Sequence, residues 1–233
     1  MKTKDASVDR KNAGVKDTLS SAIFSKMRED ILDGQLQAGE KLKIEDLKKR
    51  YHSGHSPIRE ALSRLLPGGL VEREDQKGFR VQALSRTDLG EITKVRCWLV
   101  DIAIRESIRL GDEDWEEPIV LAHHRLSKES KFLGNDKTSF NRVWEDLHRE
   151  FHGLLFAACD SKWLIYHGRE LHRLTERYRR NNLKAGHQQH DSNDEHDKIF
   201  KAVIDRDADL ASELIIEHYS TTSDNIMESL PED

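Results

Sequence analysis

Apolar positions return every three or four residues along most of the chain, the spacing of one face of a helix. From Thr18 to Asp33 the stripe is Leu19, Ile23, Met27, Ile31 and Leu32, stopped by Gly34. Leu36 to Leu42 breaks the pattern and reads as a loop with a short extended piece. Ile44, Leu47 and Tyr51 predict a short helix, followed by a turn at Ser53-Gly54. A second helix opens at Ser56-Pro57, with Ser56 expected as N-cap and Pro57 at the first helical position, where a missing N–H costs nothing. Its stripe is Ile58, Ala61, Leu62, Leu65 and Leu66, and Pro67-Gly68-Gly69 ends it. Two strand-like runs, Leu70-Val71 and Phe79-Arg80-Val81, then flank a charged turn ending at Gly78. Helix, tight turn, helix and β-hairpin outline a winged helix-turn-helix over residues 18–84. Residues 1–17 are polar and aperiodic and read as a disordered arm.

From Ser85 the runs lengthen. Ser85 or Thr87 caps a helix carrying Leu89, Ile92, Val95, Leu99, Ile102, Ala103 and Ile104 to Gly111. A second starts at Asp112 or Asp114 and runs through Trp115, Ile119, Leu121, Leu126 and Phe132 to Gly134. A third starts at Thr138 or Ser139, with Phe140, Val143, Trp144, Leu147, Phe151, Leu154 and Leu155 on its stripe. Ser161 caps a fourth that fades at Ala185-Gly186, residues 187–192 are a polar loop, and two further helices cover Asn193–Asp205 and Ala208–Met227. About six helices joined by short loops predict an all-helical antiparallel bundle over residues 85–230, so the fold class is mainly α.

Composition fits this picture. Hydrophobic residues make up 36% and charged residues 35%, as helices with solvated outer faces require. No apolar run approaches the ~20 residues of a membrane span, and no secretory signal is visible, which points to the cytoplasm. The two cysteines, Cys97 and Cys159, lie within helical patterns and read as reduced thiols. Net charge is −5, but it is uneven. Residues 1–84 hold 17 Lys+Arg and 13 Asp+Glu, or +4, and the remainder holds 38 − 17 = 21 and 43 − 13 = 30, or −9. A basic front half suits a partner that carries phosphates.

Three constellations carry candidate chemistry. Lys48, Lys49 and Arg50 end the first helix of the motif, Arg59 and Arg64 lie on the second, and Lys77 and Arg80 fall in the wing. Basic side chains at such positions neutralise phosphates, while those opening the second helix reach base edges. The second is histidine, of which there are 12. His148 and His152 are one turn apart on one face, and His196 and His218 lie on two later helices. Helices facing inward could bring these four imidazoles to one divalent metal, with zinc or nickel favoured by nitrogen donors; scattered surface or core histidines are the alternative. His123, His124, His167, His172, His187 and His190 stay with that alternative. The third is Arg96, on the apolar face of its helix. A guanidinium there needs either a carboxylate of the protein or a bound carboxylate ligand.

The run S-P-I-R-E-A-L-S-R-L at 56–65, G-L-V at 69–71, G-F-R-V at 78–81, K-V-R at 94–96, E-F-H at 150–152 and the later His196 and His218 together resemble the GntR family of bacterial transcription regulators. The likeness is to its FadR subfamily, whose C-terminal part is the all-helical FCD ligand-binding domain. Within it, G-D-E-D-W-E at 111–116 is similar to the CsiR (GlaR) repressors of glutarate and related catabolism. The resemblance covers residues 18 to 225. It implies a regulator rather than an enzyme, a homodimer on a pseudo-palindromic double-stranded DNA operator, and release by a small organic acid, a dicarboxylate among the candidates. A metal-dependent hydrolase and a DNA-binding dimer with a purely structural metal are the rivals.

Position by position, Arg59 matches a DNA-contacting arginine, with His55 and Ser56 beside it. His152, His196 and His218 match the metal-binding histidines, and Arg96 matches an arginine beside the effector pocket. Two departures stand out. The family's usual fourth ligand, an aspartate, is replaced by His148, with Asp146 expected to point elsewhere. The turn reads G-H-S at 54–56 where S-R-T is common, so His55 stands where a base-reading arginine is expected.

Overall fold

The computed structural model describes residues 19–74, 77–134, 139–184 and 193–232. The arm at 1–17 and the polar loop at 187–192 lie outside the described residues.

The N-terminal unit begins with α1, Leu19–Leu32, which buries Ile23, Met27, Ile31 and Leu32 along one face. A short strand β1, Lys41–Leu42, leads into α2, Ile44–Arg50, and α3, His55–Leu65. The hairpin β2, Val71–Glu74, and β3, Gly78–Val81, completes the unit. Its sheet is antiparallel in the order β1-β3-β2, with Val71 opposite Val81 and Glu74 opposite Gly78. One core joins these pieces, built on Met27, Leu47, Ile58, Leu62, Phe79 and Val81. The α3 start differs from expectation. The helix begins at His55 with Gly54 as N-cap and no side-chain cap, so Ser56 is not the cap and Pro57 is the third residue. Proline still fits there, because none of the first-turn N–H groups has an intrahelical acceptor.

Six helices follow, as the periodicity requires: α4 Arg86–Leu110, α5 Glu113–Lys128, α6 Arg142–Leu155, α7 Lys162–Lys184, α8 Asn193–Ile204 and α9 Ala208–Ser229. Ser85 caps α4 by accepting from the Asp88 N–H, and Asp112 caps α5 from Trp115. The helix expected from Thr138 or Ser139 starts instead at Arg142. Before it stand two paired strands, β4 Phe132–Leu133 and β5 Ser139–Phe140, with Phe140 opposite Phe132, so the helix expected to reach Gly134 stops at Lys128 and Phe132 is in a strand. Asn141 explains the boundary. Its side chain accepts from the Val143 N–H at 3.0 Å and donates to Glu129 and the Ser130 carbonyl, work possible only at a helix end.

The α4 stripe is also rotated from expectation. Leu89, Ile92, Arg96, Val100, Ala103 and Ile104 are buried, whereas Val95 and Ile102 are exposed. Leu121 and Val143 likewise face outward.

The bundle core runs from Ile104 and Trp115 through Trp144 and Phe151 to Ile199, Ile215 and Tyr219. Helix α7 joins the two units. Leu174 packs against both the N-terminal core and the cluster of Leu89, Tyr178 and Ile226. The junction is clamped by the same helix: Arg177 donates to the Gln82 carbonyl, and the Tyr178 hydroxyl donates to Asp88 at 2.7 Å. Among the described residues no helix is long and apolar enough to cross a membrane.

Candidate functional site

Helix α6 places His148 and His152 one turn apart, α8 brings His196, and α9 brings His218. All four rings are buried, and one nitrogen from each lies within 4.8 Å of the others. His152 Nε2 is 3.1 Å from His148 Nε2 and 3.3 Å from His196 Nε2. Burial, followed by neighbouring imidazoles and guanidinium groups, holds His148 and His152 well below the usual imidazole range. His196 is also pushed well down, again chiefly by burial. Neutral imidazoles leave lone pairs, and lone pairs crowded around one point repel unless a cation lies among them.

Two neighbouring side chains fix which nitrogens face inward. His218 Nδ1 is 2.6 Å from Glu195 Oε2, which orients the ring with Nε2 toward the cluster. The Tyr219 hydroxyl lies 3.4 Å from His152 Nδ1 and does the same there. A tetrahedral zinc site with bonds of about 2.0–2.1 Å spaces its nitrogens by roughly 3.3 Å. The donor set, its burial and the two close nitrogen spacings therefore fit a divalent metal. Asp146 is exposed and paired with Arg149, away from the cluster.

Arg96 is buried beside this centre at 7% exposure. Its guanidinium donates to Thr175 Oγ1 at 3.1 Å, lies 2.8 Å from His172 Nδ1, and stacks 3.5 Å from the Tyr219 ring centroid. Among the described residues no carboxylate lies within ion-pair distance of it. Its cation is stabilised by neutral groups alone, and burial lowers its pKa from the ordinary arginine value. The protein carboxylate that could have explained Arg96 is not what the fold provides.

Arg96, Lys131, Trp144, His148, Arg179, Asn182, His218 and Tyr219 line one cavity. Its free volume is about 30 Å³, room for one water, so an acid entering it must displace side chains. Arg96, Lys131 and Arg179 bring basic groups to its lining, with Arg179 paired to the buried Glu145. Glu145, His148 and His172 form a second close group. It offers no open cation seat, because Glu145 is ion-paired to Arg179 and Arg96 donates to His172 Nδ1, leaving the proton on Nε2.

On the N-terminal unit, His55, Ser56 and Arg59 are exposed on one face of α3, with Lys49 exposed on α2 and Lys77 in the wing turn. Three further basic residues of the motif are engaged within the unit. Arg50 pairs with Asp30 at 2.9 Å, Arg64 donates to Ser21 and stacks on Phe24, and Arg80 pairs with Glu74.

Sequence reasoning missed four residues of the bundle site. His172 was grouped with the scattered histidines; Glu195, Tyr219 and Arg179 went unremarked. Glu195 and Tyr219 each adjoin a ligand histidine, a signal that could have found them. Arg179 and His172 lie on α7, which supplies none of the four clustered imidazoles and so had no spacing to betray it.

Residues 19–81 match the model of the bacterial regulatory proteins of the gntR family, and residues 91–221 match the FCD domain. The chain is similar to the HTH-type transcriptional regulator BphR of Paraburkholderia xenovorans (strain LB400), 35% identical over 88% of this chain and 84% of that one. It is also similar to the HTH-type transcriptional repressor GlaR of Escherichia coli (strain K12), 33% identical over 84% of this chain and 90% of that one. The solved structure of E. coli McbR/YncC shares the fold, with a TM-score of 0.71 at 14% identity over 91% of this chain and 98% of that one.

Proposed function

The chain belongs to the gntR family of DNA-binding transcriptional regulators and carries an FCD domain, and from that premise we propose a metal-dependent sensor of a small carboxylic acid that represses a catabolic operon. Residues 18–84 serve as the reading head and 85–230 as the sensor. The observation that carries the proposal is Arg96, a buried guanidinium without a carboxylate beside four converging imidazoles. Burying a charge this way is costly unless an anion completes the site.

His148, His152, His196 and His218 would hold a divalent cation, zinc or nickel by donor type. Bound there, it would supply Lewis acidity to an anionic oxygen by expanding from four to five ligands. Arg96 takes and orients the acid's carboxylate, Tyr219 holds the guanidinium flat, and Glu195 holds His218. Arg179 and Lys131 add positive charge to the same cavity, which favours an acid with more than one carboxylate.

On the head, Arg59 with His55 and Ser56 reads base edges from the start of α3, and Lys49 and Lys77 hold phosphates, with Arg50 and Arg64 released from Asp30 and Ser21 to join them. Val95, Trp98 and Ile102 make an exposed apolar stripe on α4, the kind of surface a homodimer covers. Two heads so paired read a pseudo-palindromic operator in the cytoplasm.

The test is the double variant His152→Ala/His196→Ala, assayed for operator binding by fluorescence anisotropy with and without the acid. Loss of the acid response with the helix content retained supports the proposal. An unchanged response sets metal-dependent sensing aside.

A further inference from the structure

Helix α7 buries one polar stripe made of His172, Thr175, Arg179 and Asn182, three or four residues apart and so on one face. The first three are committed. His172 and Thr175 hold Arg96, and Arg179 is ion-paired to Glu145. Asn182 is different. It is 5% exposed and lines the cavity beside Arg96, yet its Oδ1 has no hydrogen-bond partner among the described residues. A buried acceptor left unmade is costly, and a site that keeps one is suited to a ligand that completes it.

We propose that the cavity takes a hydroxy acid and that Asn182 is the residue that selects its hydroxyl. The inference rests on the reading of the cavity as an acid site and narrows the class of acid. An ionised carboxylate can only accept hydrogen bonds. It suits the guanidinium of Arg96 and the ammonium of Lys131, but not an amide oxygen, which is itself an acceptor. A carboxylate or a bare methylene set against Asn182 leaves Oδ1 unmade. A hydroxyl donates its proton to Oδ1 and keeps its lone pairs open to the basic groups of the lining. An ammonium group would also donate, but it would place one more cation beside Arg96, Lys131 and Arg179. The neutral hydroxyl satisfies the amide without that repulsion.

The shape of the side chain suits the role. The free volume is about 30 Å³, so lining groups must move as an acid enters. Lys131 reaches the cavity on a long flexible stem and can swing aside. Asn182 is short and fixed to a buried helix face, so its oxygen stays near its place as the cavity opens. Thr222 and Asn225 of α9 line the same cavity and offer further neutral partners to an acid with more than one hydroxyl.

The test uses the full zinc-loaded chain and pairs of diacids of equal length, one plain and one hydroxylated: succinate with malate, glutarate with 2-hydroxyglutarate, adipate with galactarate. Both enantiomers are used where they exist, and binding is read by calorimetry. In the tightest-binding pair the wild type holds the hydroxylated acid about tenfold or more tighter than the plain one. Asn182→Leu keeps a similar volume without the acceptor. There the ratio falls to within about twofold, by loss of affinity for the hydroxylated acid. Should Asn182→Leu fail to fold, Asn182→Ala is read the same way. Equal affinities within every pair that binds the wild type overturn the hydroxyl preference. A preference that survives in the variant takes the selection away from Asn182. Aspartate or glutamate binding tighter than the hydroxy acid of its own length overturns the hydroxyl in favour of an ammonium group. Failure of every acid to bind overturns the acid reading of the cavity itself, and this inference with it.

Discussion

Glu195 accepts from Nδ1 of His218 at 2.6 Å, while the next residue, His196, turns its ring into the same cluster. One turn of α8 therefore supplies one imidazole of the cluster and an orienting partner for the imidazole on α9. Removing such a partner leaves the metal ligand free to rotate and less basic. Glu195→Ala is expected to weaken zinc binding about 10–100-fold, measured by competition with a chromophoric chelator. Affinity equal to wild type would remove Glu195 from this role.

Arg59 and Lys49 are both exposed and basic, yet they stand at different places on the reading head. Arg59→Ala is expected to cost about 1–3 kcal/mol on the operator and much less on unrelated DNA. Lys49→Ala is expected to weaken both alike and to reduce the salt slope by about one. Anisotropy titrations at several salt concentrations separate the two. Equal losses on specific and unrelated DNA for Arg59→Ala would exclude base reading.

Asp30 links α1 to α2. It accepts from Tyr51 and Arg50, both at 2.9 Å. Burial works to raise its pKa, but the Tyr51 hydroxyl and the Arg50 charge outweigh it and hold the carboxyl below its usual value. A depressed carboxylate stabilises the fold above its unfolded pKa and loses that contribution as pH falls through the lower folded value. Asp30→Asn is accordingly expected to cost about 1–3 kcal/mol near neutrality. The gap should close below about pH 4. Urea melts of both proteins across pH 3–7 check this, and a gap that widens on acidification would contradict it.

Much of this arrangement was legible in the chain. The two-unit layout followed from periodicity and from the Ser85 cap, and the His148–His152 spacing alone put two imidazoles on one face. What escaped was decided by tertiary contact. Val95 and Ile102 fit an apolar stripe as well as Val100 does, and only the packing of α4 against α7 and α9 selects between them. The Asn141 boundary was hidden because Phe140 and Val143 continue the apolar rhythm across it. Glu145 and Glu176 read as ordinary helix carboxylates, yet both are fully buried: α7 delivers Arg179 to Glu145, and α6 delivers Arg149 to Glu176. Charge pairing between distant helices leaves no local pattern to read.

The central claim is that Arg96 and the four-histidine centre together form one acid-binding site. A thermal-shift screen of dicarboxylates and sugar acids, run on the zinc-loaded protein, on the same protein with chelator, and on Arg96→Met, tests it most directly. The expected result is a stabilising acid whose shift disappears with chelator and in Arg96→Met. The free variant should melt no lower than wild type, because its buried unpaired charge is gone. An acid that stabilises all three samples equally, or no stabilising acid at all, would contradict the claim.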